Sequence, residues 1–181
     1  MTRWVVVALG LAMAFVSVPA RAQVIFGPQF VWGGDTDSGV GARVDFDLAG
    51  PLAIDDGLFQ HLFGSATGSY FFRDCPPAGT DQLADCGFIE INGNANIPFT
   101  ITGSSVSGYL GGGLHLARYS VDYSTPEARA LISSEPTFAQ IGLNLLGGIK
   151  FPLSGLTGFV EGKFGLVGAE QFVFSAGLLI G

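Results

Sequence analysis

Eight stretches of this chain alternate apolar residues with small or charged ones, one for one. The cleanest is "GVGARVDFDLAG" at residues 39–50. There Val40, Ala42, Val44, Phe46 and Leu48 share one row, and Gly41, Arg43, Asp45 and Asp47 share the other. A period of two puts the rows on opposite faces of an extended strand, whereas a helix would scatter both around its circumference. The same pattern predicts strands over 23–32, 62–72, 88–99, 107–119, 138–151, 157–166 and 171–180. Each has about the length a tilted strand needs to cross a bilayer.

Which row meets water follows from what the rows contain. The polar rows are built of Gly, Ser, Thr and Asn, with charges of both signs: Arg43, Asp45, Asp47, Glu90, Lys150, Glu161 and Lys163. They lack the Lys/Glu fringe of a soluble exterior and suit a narrow lumen, where small side chains make room and opposite charges pair. The apolar rows carry almost no charge, with Arg118, near a strand end, as the exception. Phe26, Phe46, Phe99 and Phe151 fall near one end of the strands, and Trp32, Tyr70, Phe72 and Phe172 near the other. Two aromatic belts at opposite heights mark a membrane barrel. With 48% hydrophobic and 13% charged residues, the chain has little polar surface to clothe a soluble domain. Beyond the N-terminus it has no apolar run long enough for a membrane helix. A closed sheet is the other structure that satisfies every backbone group in lipid. The expected fold is therefore all-β: an eight-stranded antiparallel up-and-down transmembrane β-barrel. The alternative, an exported soluble barrel of lipocalin type, would invert the two faces.

Residues 1–22, "MTRWVVVALGLAMAFVSVPARA", read as a signal peptide: basic Arg3, an apolar run, and the small-x-small site Ala20-Arg21-Ala22. Cleavage after Ala22 would leave one domain over 23–181. It would also remove Arg3 and Arg21, leaving six basic residues against fifteen acidic, a formal charge of −9. That balance argues against nucleic acid as a partner. Cys75 and Cys86 are the only cysteines and bracket ten residues rich in turn formers. In an exported chain they are expected to form one disulfide.

With residue 23 on the periplasmic side, the two longest external loops are 74–86 and 120–137. Thr125-Pro126-Glu127 predicts about two helical turns in the second. The 49–61 connection is long for a periplasmic turn, and Asp55 or Asp56 is placed to cap a short helix there.

"SGYLGGGLHLA" (107–117) and "TGFVEGKFGLVGAEQFVFSAGLLIG" (157–181) resemble the last strands of small eight-stranded outer-membrane proteins, the OmpA-barrel, OmpX and opacity-protein type. The resemblance implies a barrel of the cell outer membrane, in contact with outer-membrane lipid. It departs from the family at Leu179-Ile180-Gly181, where family members usually end in an aromatic residue.

Signals of chemistry are weak. His115 is phased inward with Tyr109, but no serine stands beside it, so it is expected as a hydrogen-bonding residue of the lumen. His61 falls in a turn. Asp35-Thr36-Asp37-Ser38-Gly39 resembles the start of a calcium loop, but position 46 is Phe where the completing Glu belongs. The glycine runs 111–113 and 147–148 precede no helix and are read as places where a small, curved barrel sheds side chains. No catalytic residue, cofactor or metal is expected. Arg43 and Glu161 fall near mid-height on inward rows and are expected to pair. The reading is a monomeric, non-enzymatic barrel with a filled polar lumen. It would act in envelope structure or through a surface partner at loops 74–86 and 120–137. A small-solute channel and a lipid-modifying enzyme are the alternatives.

Overall fold

A computed structural model of the chain describes residues 24–34, 36–73, 84–123, 138–168 and 170–181. Residues 1–22, expected to be a leader, Cys75, the side chain of Cys86 and the Thr125-Pro126-Glu127 helix signal lie outside the described residues. Eight strands follow one another: β1 (Val24–Gly33), β2 (Asp37–Asp47), β3 (Phe63–Arg73), β4 (Ala84–Thr100), β5 (Ser107–Tyr123), β6 (Phe138–Leu153), β7 (Leu156–Val167) and β8 (Phe172–Leu179). Each pairs antiparallel with the next, and β8 returns to β1, closing the sheet. The start of β1 and the end of β8 therefore lie at one end of the barrel, and the ends of β3 and β5 and the starts of β4 and β6 lie at the other, here called the loop end.

Closure without an edge requires a stagger between strands. Backbone partners followed from Val31 through Gly39, Phe71, Phe88 and Tyr119 reach Phe138 on β6. Followed the other way, through Ser175 and Glu161, they reach Gly148, ten residues along the same strand. This stagger sets which side chains meet inside.

The apolar rows point outward. Leu110, Leu114, Leu145 and Ile141 are all more than half exposed, and Phe26, Trp32, Phe72 and Phe99 stand out near the two rims. The polar rows are buried, Arg43 completely. Local chemistry supports the hairpins. Leu153 pairs with Leu156 across Ser154 and Gly155, at φ 40° and 92°. Positive φ at both central residues gives the tight turn whose twist matches the flanking strands. Three terminus-end hairpins share another device: Phe46, Phe99 and Phe151 each lie opposite a glycine, Gly64, Gly108 and Gly158. A Cβ on any of those glycines would lie 2.2–2.4 Å from the facing ring. The ring folds over the bare backbone instead, covering a glycine that would otherwise weaken the strand.

The 48–62 connection holds a single turn of 3-10 helix, Gly57–Phe59, with Asp56 at its N-cap position. Its carboxylate makes no capping hydrogen bond. The segment is tied to the barrel through Leu62, whose carbonyl accepts from the N–H groups of Leu48 and Ala49.

Candidate functional site

The interior is filled in three layers. Nearest the chain termini, Arg43 on β2 donates from Nε to Asp45 Oδ1 at 2.7 Å and from Nη1 to Glu161 Oε2, across the lumen on β7, at 2.5 Å. Tyr109 on β5 donates its hydroxyl to the same Glu161 oxygen at 2.9 Å. Lys150 on β6 pairs with Asp45 Oδ2 at 2.7 Å. Aromatic rings close the faces of the cations: Phe159 lies 4.7 Å and Tyr109 5.5 Å from the Arg43 guanidinium, and Phe63 lies 3.8 Å from the Lys150 ammonium. Two cations and two carboxylates thus neutralise one another where neither could stand alone, since an isolated buried charge costs several kcal/mol.

The second layer centres on Glu90 of β4. Lys163 of β7 pairs with Glu90 Oε1 and donates to Asn92 Oδ1 at 2.9 Å. Asn92 in turn donates to Glu90 at 2.8 Å and Thr67 at 3.0 Å, and accepts from Asn144 at 3.1 Å. Two donated and two accepted bonds use the full capacity of its amide. From Glu90 the chain of bonds continues outward: Gln171 Nε2 donates to Glu90 Oε2 at 3.2 Å, and Thr36 donates to Gln171 Oε1 at 2.9 Å. The β1–β2 and β7–β8 turns are therefore tied to a buried charge.

The third layer, at the loop end, is apolar: Val31, Phe71, Phe88, Ala117, Tyr119 and Val173. Sequence reading missed this layer. The inward rows continue past their polar members at the strand ends, and Phe71 and Phe88, register partners with rings 5.5 Å apart, lie one row-step above Ser69 and Glu90.

Solved structures share the closed eight-stranded fold. Neisserial surface protein A matches at a TM-score of 0.53 and 20% identity, over 88% of this chain and 97% of its own. Ail of Yersinia pestis matches at 0.55 and 12% identity, over 87% and 94%. A major outer membrane protein of Thermus thermophilus matches at 0.57 and 11%, over 87% and 99%. This chain has the fold of the small eight-stranded outer-membrane β-barrels. No family model and no curated protein matches its sequence.

Within this barrel, the lumen residues singled out from sequence do not all play one part. Arg43, Asp45, Lys150 and Glu161 come together in one cluster, and Glu90 and Lys163 in another. Asp47 stands apart at the terminus-end rim, where its carboxylate accepts from the N–H groups of Ala49 at 3.0 Å and Gly50 at 3.1 Å. It is a turn cap: β2 ends there, and the carboxylate receives the Gly50 N–H and shares the Ala49 N–H with the Leu62 carbonyl. A cavity of about 720 Å³ opens at this rim, walled by Asp45, Asp47, Phe63 and Lys150 and flanked by His61 and Asp55.

His115 is buried and points inward, but its Nε2 meets no hydrogen-bond partner among the described residues. The positions facing it, Gly142 and Gly168, have no side chain to offer. The inward glycines Gly111, Gly113 and Gly148 make room for particular neighbours: a Cβ at each would strike Asn96, the Gly93 carbonyl and the Tyr109 hydroxyl, respectively. Among the described residues no three His, Cys, Asp or Glu side chains gather as a metal site.

The link between the turns and the lumen has a measurable consequence. Gln171→Leu leaves Glu90 Oε2 and the Thr36 hydroxyl without their shared partner, at an expected cost of about 1–3 kcal/mol. Amide exchange in the β1–β2 turn should accelerate, while mid-strand amides keep their protection. Unchanged exchange at residues 34–37 would show that the bond chain does not hold the turn.

Proposed function

We propose that this protein is a bacterial outer-membrane barrel that performs no chemistry in its lumen and meets its partners at the loop end. The observation that carries this reading is the inversion of faces: an apolar girdle outside, and two neutralised charge clusters beneath an apolar layer inside. A surface of that kind belongs in lipid, and a lumen packed in that way leaves no continuous wide path. The long connections at the loop end, 74–83 and 124–137, are then the parts offered to the exterior, with Cys75 in the first bridged to Cys86 near the start of β4. One structural neighbour is named as an attachment invasion locus protein, which favours a surface role for this architecture. The protein is read as an exported monomer, its leader removed after Ala22.

The folded protein should insert into phospholipid vesicles and run at a different gel mobility before and after boiling, the behaviour of a barrel that unfolds only with heat. Cell fractionation should recover it with the outer membrane. Recovery as a soluble periplasmic protein would overturn the reading. In planar bilayers the inserted barrel should show no steady large-pore conductance, and a stable large step would favour a small-solute channel instead.

A further inference from the structure

Among residues whose side chains are described, the outward rows of the strands carry one charge, Arg118 on β5. Its register neighbours are apolar, with Ile89 on β4 and Ala139 on β6. Both point outward with it, as do Leu116 below it and Ile141 beside that. Arg118 is exposed and makes no hydrogen bond or ion pair with the described residues. The same register line reaches Tyr70 on β3, whose ring packs edge-on against Phe72 at 5.5 Å. Four residues nearer the loop end, Asp85 and Asp122 are backbone partners. Two acids at one register position belong on the aqueous side. Arg118 therefore stands between an apolar girdle and the start of water, at the height of an aromatic belt.

We propose that Arg118 docks the phosphate of a membrane-lipid headgroup at the loop-end boundary of the bilayer. Among the described residues this guanidinium has no counter-ion, and lipid tails offer none. Its stem can lie along Leu116 and Ile89 while the charged fork reaches up to the headgroups. There a planar fork of donors matches phosphate oxygens two at a time, which an ammonium does less well. The methyl group of Ala139 on one flank leaves lateral room for the headgroup. Tyr70 lies two strands away on the same register line, about 10 Å across the sheet at the backbone. The proposal rests on the barrel spanning a membrane.

The test uses the folded full chain, wild type, Arg118→Leu and Arg118→Lys, in phosphatidylcholine vesicles with and without phosphatidic acid. The readout is the phosphatidic acid retained per barrel by native mass spectrometry after extraction. Wild type should retain about fivefold more than Arg118→Leu, as one interfacial basic residue is expected to contribute. Arg118→Lys should fall between them. Insertion of both proteins with equal retention overturns this proposal and leaves the membrane reading standing. Failure of the wild type to insert into either vesicle overturns the membrane reading, and the proposal with it.

Discussion

Arg43→Met should destabilise the barrel by about 3–5 kcal/mol, the cost of removing one partner from a buried ionic cluster. The substitution keeps the bulk of the side chain, so the loss reports charge more than volume. Glu161 would keep only the Tyr109 hydroxyl, while Asp45 would keep Lys150. Glu161→Gln should cost less, about 1–3 kcal/mol, because Arg43 still has Asp45 and Tyr109 can still donate to the amide oxygen. The double variant should lose less than the two single losses together, by about 0.5–3 kcal/mol. Reversible urea unfolding from vesicles measures all three. Strict additivity would show that the contact seen at 2.5 Å carries no coupling. The coupling should also survive raised salt, since both side chains are shielded from screening ions.

The second large effect concerns the outer face. Leu145 lies midway along β6 and is 55% exposed. In lipid, Leu145→Arg should cost about 2–4 kcal/mol, and Leu153→Arg, at the terminus-end rim of the same strand, only about 0–1 kcal/mol. The same unfolding measurement applies, and the contrast between the two positions is what matters. A water-facing exterior would tolerate both equally, so two small and equal effects would refute a lipid-facing sheet. The wild-type placement of charge agrees with the gradient, with Arg118 in the loop-end half of β5 and the middle of every outward row apolar or glycine.

Much of this architecture is written locally. A period of two names the strand and its two faces at once, because successive side chains point to opposite sides whatever the rest of the chain does. Residues 40–48 alone assign Val40 and Val44 to the outside and Arg43 and Asp45 to the inside, and the structure places all four so. Strand count, strand order and the tight turn at Ser154-Gly155 are local or nearly local in the same sense. Strand ends were less legible: β4 begins at Ala84 and β5 runs to Tyr123, beyond the alternation, because pairing with a long neighbour can extend a strand through residues of no particular pattern.

Matched heights on inward rows anticipated the meeting of Arg43 with Glu161, but no single stretch of sequence determined which other inward residue meets which. Arg43 and Glu161 are 118 positions apart, and Glu90 and Lys163 are 73 apart. Their meetings depend on the ten-residue stagger and on the return of β8 to β1, properties of the closed sheet as a whole. Asp47 shares a row with Arg43 and Asp45, yet ends as a turn cap because closure and the hairpin leave it at the rim. The apolar layer of Phe71, Phe88 and Tyr119 and the glycines beneath Phe46, Phe99 and Phe151 likewise acquire their partners only across strands. Alternation determined the faces of this barrel, and the shear of the closed sheet decided its contacts, because a face is a property of one strand whereas a contact across the lumen requires all eight.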